Sequence, residues 1–370
     1  MIILLFLVSF FIIRKVIIKY YEKHWKDKLS ASVYFETDYI NEGENGHICE
    51  ELINDKALPL PAVNVKFELD KSVFYEDSRN IVVSDKQYRS DLMTLGSHKK
   101  ILRRFKVNFT KRGVYSIETV SMNTIDPVSE YLYIEQFPSK STIYVYPAYS
   151  RYKELLAPFS RIMGEALKNR FILEDPFEFK GIRNYTTSDP MKKINWSATA
   201  KTGNLKVNSY YDTTSRHVTI FLDITTTNVW KKYDQMEEAI RITRNLMEEL
   251  VRNKIPVQII TNARDCLEGN NIAMESGIGT NTVISNLRNL SIIDLDKDTE
   301  PMMNYFMDNE AGKDELSVLI STDNALKVVQ AFEKYLGNSN GEWIMPIMSA
   351  KDCNIHSRKI QITYVEVNRI

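Results

Sequence analysis

The chain has 370 residues, in which 48 lysines and arginines balance 48 aspartates and glutamates. This balance argues against nucleic acid as a partner, because no excess of positive charge would attract it. The length is sufficient for two domains that each bury a core. Three cysteines, Cys49, Cys266 and Cys353, are too scattered for a disulfide framework or a Cys-x-x-Cys metal site, so we expect a reducing compartment.

Residues 1–18 are apolar except for Ser9, Arg14 and Lys15. A helix over them would be about 27 Å long, close to the ~30 Å hydrocarbon core of a bilayer. Basic residues follow this run and none precedes it, which predicts a cytoplasmic C-terminal bulk. We therefore predict a single-pass cell-membrane protein, with a transmembrane helix and basic juxtamembrane segment over 1–28. A cleaved signal peptide is the alternative, but its basic start and small-residue cleavage site are missing. In the predicted membrane-anchored protein, Tyr20, Tyr21 and Trp25 would form an interfacial aromatic belt.

Residues 29–147 contain short stretches of apolar-polar alternation that are separated by turn-forming residues. This pattern, with no convincing helix between the stretches, predicts an all-β immunoglobulin-like sandwich. His47 and Cys49 lie at strand spacing, which is more typical of core packing than of a metal-ligand pair. We expect a structural or docking domain.

Residues 148–174 have helical periodicity that Pro158 and Gly164 interrupt, as in a connector between domains. The last predicted domain covers 175–370. Within it, strands alternate with helices after Asp223, and this alternation predicts a doubly wound, mainly parallel α/β sheet.

A buried apolar strand over 217–222 leads directly to a group of short oxygen-bearing side chains. Asp223, Thr225 and Thr227 form an Asp-x-Thr-x-Thr loop at the strand end, where ligands of open α/β sheets bind. Small oxygen ligands suit Mg²⁺, so the loop indicates a divalent-metal site. The alternative is an Asx-turn or the N-cap of the following helix.

Residues 175–211 contain a dense motif of polar and aromatic side chains. Its members are Arg183, Tyr185, Asp189, Ile194, Trp196, Ala200 and Lys201. The motif and the strand after it resemble the domain of unknown function 58 family, membrane-linked proteins commonly encoded beside MoxR-type AAA+ ATPases. The resemblance implies a von Willebrand factor A-like α/β domain. Ser188 stands where the family usually has glycine, and Thr225 and Thr227 stand where serines are usual.

The resemblance also implies the remaining residues of a metal site. Von Willebrand factor A domains bind a metal ion through three parts of the chain. These are the loop that corresponds to Asp223, Thr225 and Thr227, a threonine from a second loop, and an aspartate at a later strand end. Carried over to this chain, the predicted Mg²⁺ ligands are Asp223, Thr225, Thr227, Thr280 and Asp323.

Two interpretations of the motif stay open. The residues concerned are Arg183, Tyr185, Asp189, Lys193, Trp196 and Lys201. They would either form a basic and aromatic surface for a protein partner or lock a long loop onto the sheet. In the lock, Asp189 accepts hydrogen bonds from Arg183 or Lys193 while Trp196 fills a seam. The lock is favoured, because paired charges also arise in purely structural networks.

The chain has no nucleophile elbow, no phosphate-binding loop and no His-Glu-x-x-His motif. We therefore expect a non-enzymatic protein. The predicted function is a membrane-anchored adaptor or scaffold that docks a partner, by resemblance a MoxR-type AAA+ ATPase, at the strand-end rim of the last domain. A metal-dependent hydrolase using the same rim and a purely structural envelope component are the alternatives.

Overall fold

The computed structural model divides the chain into two compact units, Met1–Ala148 and Tyr149–Ile370. It describes the whole chain except residues 1, 78–79, 84–85, 173, 188, 213–216, 226–232, 313–314, 350–354 and 368–370.

The first unit begins with helix α1, Ile2–His24, whose two ends differ in their surroundings. Its apolar side chains from Leu4 to Ile17 are exposed, whereas Tyr21 is buried, as is Trp25 just after the helix. The Tyr21 hydroxyl lies 2.9 Å from the Thr124 hydroxyl, and the Tyr21 and Trp25 rings both contact Tyr133. Tyr21 and Trp25 therefore hold the end of the helix against the sheet, and the predicted aromatic belt is wrong for them.

The predicted single-pass membrane anchor is also wrong. Over the part of the chain that the structure describes, no helix is both long enough and apolar enough to cross a membrane. The physical reason lies in α1 itself, where Arg14, Lys15 and Lys19 follow the apolar run. The uninterrupted run ends at Ile13 and is shorter than the ~20 residues that a membrane-spanning helix needs.

The rest of the first unit is built from two β-sheets. Its strands are β1 Leu29–Phe35, β2 Tyr39–Asn41, β3 Asn45–Asn54, β4 Leu60–Leu69, β5 Val73–Tyr75, β6 Ile81–Val83, β7 Gln87–Leu95, β8 Lys99–Phe109, β9 Gly113–Ile125 and β10 Leu132–Tyr146. One sheet has the order β1-β3-β8-β5 and the other β2-β10-β9-β4-β7-β6. Neighbouring strands are antiparallel except β2 and β10.

Both sheets contribute alternate side chains to one apolar core, because successive residues of a strand point to opposite faces. Leu52 of β3, Val107 of β8 and Val120 of β9 are fully buried in this core. The alternation also buries charged residues, among them Glu50 of β3 and Asp91 of β7. The first unit is thus a β-sandwich with both apolar and charged side chains in its interior.

The second unit contains a parallel sheet and a separate antiparallel pair. Its elements are α2 Leu156–Ile172, β11 Glu174–Asn184, α3 Trp196–Thr202, β12 Lys206–Asp212, β13 Val218–Asp223, α4 Tyr233–Arg252, β14 Val257–Thr261, β15 Arg264–Asp265, α5 Thr280–Ser291, β16 Ile293–Asp294, α6 Met302–Asp308, β17 Leu316–Ser321, α7 Leu326–Leu336, β18 Gly341–Ile347 and β19 Ile360–Glu366. The parallel sheet has the order β14-β13-β17-β18-β19, and β11 pairs with β12.

The central strands β13, β17 and β18 are buried at every position. Strands covered on both faces are continuously apolar, which explains these sequences. On one side, Phe221 packs edge-on against Phe306 and Tyr335, with ring centres 5.1 and 5.2 Å apart. The register places Asp223 beside Ser321, so the ends of β13 and β17 meet at one rim.

The predicted fold class, a doubly wound von Willebrand factor A-like α/β domain preceded by a sandwich and a membrane helix, is wrong for this chain. More of the described residues lie in β-strands than in helices, and the parallel sheet with its helices is the one α/β region among them. Two of the helices, α2 and α3, lie before Asp223, but the parallel sheet is built from β13 onward. Largely antiparallel pairing, which needs only short turns between many of the strands, builds the sheets before it.

Candidate functional site

Asp223, at the end of β13, is the centre of a buried hydrogen-bond network. Its Oδ1 accepts from the Thr225 backbone N–H at 2.9 Å, the Thr225 hydroxyl at 2.5 Å and Asn262 Nδ2 at 3.0 Å. Its Oδ2 accepts from the Ser321 hydroxyl at 2.8 Å. Burial raises the pKa of Asp223, and the hydrogen bonds from Thr225 and Ser321 oppose that rise. Both carboxylate oxygens are therefore already satisfied by the protein.

The network joins the ends of three neighbouring strands, because Asn262 follows β14 and Ser321 ends β17. Asn262 Oδ1 accepts the Ile224 N–H at 2.9 Å, and the Ser321 hydroxyl accepts the Asp323 N–H at 3.0 Å. Sequence reasoning missed both residues. A polar side chain at the end of each apolar run, 257–261 and 316–321, is the signal that could have found them.

The structure brings only part of the predicted metal set together. The Thr225 hydroxyl donates a hydrogen bond to Asp223. Asp323 is buried and lies two residues after Ser321, and its Oδ1 accepts the Ala325 N–H at 3.0 Å. Thr280 is exposed as the first residue of α5, and no described hydrogen bond joins it to Asp223. Thr227 lies outside the described residues.

The described donors around Asp223 do not fit Mg²⁺, which prefers an octahedral shell of oxygen atoms. Two of the groups that contact the carboxylate are N–H donors, from Thr225 and Asn262, and they would face the cation. Among the residues that the structure describes, no three His, Cys, Asp or Glu side chains are placed to hold a metal ion together. Because Thr227 is not among them, the Mg²⁺ site stays a prediction.

The second predicted set lies on and between β11 and β12, which form an antiparallel pair rather than a long loop. Helix α3 connects them. The Asn195 side chain caps this helix by accepting the Ala198 N–H at 2.9 Å, and Gly203 ends it with a left-handed φ of 71°. Trp196 is the first helical residue, so its backbone position is fixed by the cap.

Within this set, Arg183 and Asp189 form the expected ion pair. Arg183 Nη1 and Nη2 donate to the two Asp189 oxygens at 2.7 and 2.5 Å. The Thr186 backbone N–H and hydroxyl each donate to Asp189 Oδ2 at 2.8 Å. Arg183 and then Thr186 hold the pKa of Asp189 well below its usual range. These contacts fix the turn after β11, as a structural lock requires.

The other members of the set do not take part in a buried lock. Trp196 is 64% exposed and therefore fills no seam, and Met191, which the sequence reasoning missed, is 70% exposed. Lys201 is also exposed, whereas Tyr185 and Lys193 are half-buried. We refer to residues 191–201 as the Trp196 segment. The choice between lock and partner surface stays a prediction for these residues.

Comparison with known proteins gives no family for the chain. No protein-family model matches it, and no curated protein matches it. The resemblance of residues 175–211 to the domain of unknown function 58 family therefore stays a prediction.

Several solved structures are similar to a part of the chain. A CARDB domain from Pyrococcus furiosus is 14% identical, over 32% of this chain and 88% of that one, with a TM-score of 0.21. A non-cellulosomal cohesin from Archaeoglobus fulgidus is 9% identical, over 31% and 91%, with a TM-score of 0.22. The full-length major pilin of Corynebacterium diphtheriae is 12% identical, over 29% and 34%, with a TM-score of 0.22.

TM-scores this low carry no argument about fold or function. The similar structures described above are a CARDB domain, a cohesin and a pilin, not a von Willebrand factor A domain. In place of the predicted von Willebrand factor A-like label, the structure shows a parallel five-stranded sheet with α-helices.

Proposed function

We propose that the chain is a protein-interaction module that docks an acidic protein partner through the Trp196 segment. The observation that carries this proposal is the 64% exposure of Trp196. Tryptophan has a large apolar surface, so leaving it in water forgoes a favourable burial. It is also among the residues most enriched at the energetic centres of protein interfaces.

The surroundings of Trp196 support docking because they fix the backbone at this residue in the absence of a partner. The Asn195 cap fixes the start of α3, and the Arg183–Asp189 pair fixes the turn after β11. A surface that is already ordered loses less conformational entropy on binding, which favours affinity.

The charge of the Trp196 segment indicates the kind of partner. Lys192 and Lys201 are exposed, Lys193 is half-buried, and the segment contains no acidic residue. Positive charge around an apolar anchor favours a partner whose surface is acidic, because complementary charges speed the encounter and exclude other partners.

More specifically, we propose that the partner is a MoxR-type AAA+ ATPase and that the chain acts as an adaptor for it. This identity rests only on the resemblance of residues 175–211 to the domain of unknown function 58 family. The strand-end rim around Asp223 is the competing docking surface.

The test measures the affinity of the purified full chain for a purified MoxR-type ATPase by surface-immobilised binding. We expect Trp196→Ala to weaken binding at least about thirtyfold, the effect of losing an interface hot spot of about 2 kcal/mol. The matched control is Leu156→Ala, which truncates another exposed apolar side chain of the same unit. Unchanged binding in Trp196→Ala, with a loss in Asp223→Asn, would transfer the docking site to the rim.

A further inference from the structure

Strand β11 lies at an open sheet edge in the part of the chain that the structure describes. It pairs with β12 on one side, and no other described strand joins these two. The far side of β12 is covered, because Ile194 forms a bridge with Val207 and the Asn195 N–H donates to the Lys206 carbonyl at 2.8 Å. The outer edge of β11 is therefore the one that is left open.

The register shows which backbone groups point toward this open edge. The Tyr185 N–H donates to the Leu205 carbonyl at 3.0 Å, so residue 185 points toward β12. Successive residues of an antiparallel strand point alternately toward and away from the partner strand, so Ile182 and Asn184 point outward. The Asn184 carbonyl accepts from Arg183 Nη1 at 3.1 Å, whereas the Ile182 N–H and C=O have no partner among the described residues.

The open edge is accessible to another chain. Ile182 is 48% exposed and Phe179 is 55% exposed, and Asn184 is exposed as well. A two-stranded sheet is marginally stable in water, so β11 and β12 gain from a third strand. An exposed edge with apolar side chains is a template for strand addition, because an extended segment supplies both an acceptor and a donor for its backbone.

The charge beside the edge indicates the kind of segment that fits it. Residues 179–184 and 206–211 contain no acidic residue, and their basic residues are Lys180, Arg183 and Lys206. Asp189 offsets the charge of Arg183. Lys206 Nζ donates to the neutral Asn184 side chain at 2.6 Å, which holds its positive charge next to the edge. Complementary charge therefore favours an acidic segment.

A second copy of this chain fits the edge less well. Pairing β11 with β11 of another copy would bring Lys180 and Arg183 of the two copies close together. Like charges on facing strands are destabilising. The open edge and its charge together select an extended acidic segment of a different protein.

We propose that the outer edge of β11 binds an extended acidic segment of the partner protein as a third strand, paired through the N–H and C=O of Ile182. This inference rests on the proposed docking of an acidic protein and adds the form in which part of that protein binds. The Trp196 segment lies on the other side of β12, so one partner would contact both sides of the two-stranded sheet.

The test titrates the full chain into a short synthetic peptide of alternating valine and glutamate, followed by the fluorescence anisotropy of a label on the peptide. We expect saturable binding at low ionic strength. The same peptide with lysine in place of glutamate should not bind, because the edge is basic. A glutamate peptide that is N-methylated at two neighbouring central amides should not bind either, because neighbouring residues point to opposite edges and each edge then lacks a donor.

Ile182→Pro tests the edge from the side of the protein. Proline removes an N–H that points away from β12, so the variant should fold with nearly the same thermal unfolding midpoint. We expect it to weaken peptide binding by about tenfold or more, because it loses a hydrogen bond to the peptide and its ring obstructs pairing. The matched control is Ile182→Ala, which keeps the N–H and should lose less than about threefold.

Trp196→Ala separates this inference from the proposed docking by the Trp196 segment. It should leave binding of the short peptide unchanged, even if it also fails to weaken binding of the ATPase. Loss of peptide binding in Trp196→Ala would move the peptide to the Trp196 segment and overturn the assignment to the edge.

Four further results would contradict strand addition by an acidic segment. The wild type could show no saturable binding of the glutamate peptide, or it could bind the lysine peptide equally well. Binding could also survive N-methylation, or fall equally in Ile182→Pro and Ile182→Ala, and either result would mean that the backbone of the edge is not used. A dimer of the wild type that Ile182→Pro abolishes would make a second copy the occupant of the edge.

Discussion

The inward charge cluster of the β-sandwich consists of Glu50, Arg89, Asp91 and Arg103. This cluster and the Asp223 network are both groups of polar side chains built around a buried aspartate, but they differ in how completely their atoms are paired. Asp223 receives four hydrogen bonds from three neighbouring residues. The inward charge cluster leaves Arg89 Nη1, Glu50 Oε2 and the Tyr75 hydroxyl without a described partner. Burial of an acidic residue therefore does not by itself decide how completely the polar atoms around it are paired.

This difference assigns a separate role to each region. The Asp223 network connects the ends of β13, β14 and β17, so its hydrogen bonds hold the parallel sheet together at the rim. The inward charge cluster connects β3, β7 and β8 through the ion pairs of Arg89 with Asp91 and of Arg103 with Glu50 and Asp91.

Arg89→Leu is expected to have the largest effect. It removes the shortest partner of the buried Asp91 carboxylate and should lower the free energy of unfolding by about 3–5 kcal/mol. Urea denaturation measures the change. The matched control is Arg104→Leu on β8, whose ion pair with Glu36 is exposed and should contribute far less to stability. Equal losses of unfolding free energy in the two variants would mean that the buried Arg89–Asp91 pair stabilises the protein no more than the exposed Arg104–Glu36 pair.

The pH dependence of stability tests the charge state of Glu50. Its pKa is raised from 4.5 to about 7 in the folded protein, so the folded state retains a proton that the unfolded state releases. Stability from this group is therefore present below pH 4.5 and is lost as pH rises toward 7, by roughly 3 kcal/mol.

Glu50→Gln should remove that slope from urea denaturation curves recorded between pH 4.5 and 7. The glutamine has nearly the same shape and no titrating proton, which makes it the matched control for the wild type. A slope that persists in Glu50→Gln would assign the titration to another group.

Asp223→Asn is expected to have an intermediate effect. The amide group places N–H donors opposite the Thr225, Asn262 and Ser321 donors, so the free energy of unfolding should fall by about 2 kcal/mol. Asp323→Asn is the control, because Asp323 accepts a single described hydrogen bond, from Ala325, and should lose less than about 1 kcal/mol. A fully stable Asp223→Asn variant would contradict a structural role for the network.

The apolar run before Asp223 is enough to predict a buried strand that ends at this carboxylate, because a strand covered on both faces is apolar throughout. The partners of Asp223 could not be predicted. Asn262 and Ser321 are distant in sequence and meet it only through the parallel register of the sheet. Thr280, which a family template placed at the site, is exposed at the start of α5.

The inward charge cluster was hidden for a different reason. On β7, alternation by polarity would turn Tyr88 and Leu92 inward and Arg89 and Asp91 outward, but the structure has the opposite arrangement. The inward charges are stabilised by the Arg89–Asp91 pair within β7 and by the pairing of β3 with β8, which sets Glu50 opposite Arg103. Hydropathy misled similarly at α1, where Tyr21 is buried by the sheet rather than by lipid.

The most direct test of the comparison removes one hydroxyl group from each region and compares the stabilities by urea denaturation. Ser321→Ala deletes a hydroxyl that donates to Asp223 at 2.8 Å and accepts from Asp323, whereas Tyr75→Phe deletes one that has no described partner. We predict a loss of about 1–2 kcal/mol in the free energy of unfolding for Ser321→Ala and no loss for Tyr75→Phe. Equal losses, or a loss confined to Tyr75→Phe, would contradict the account.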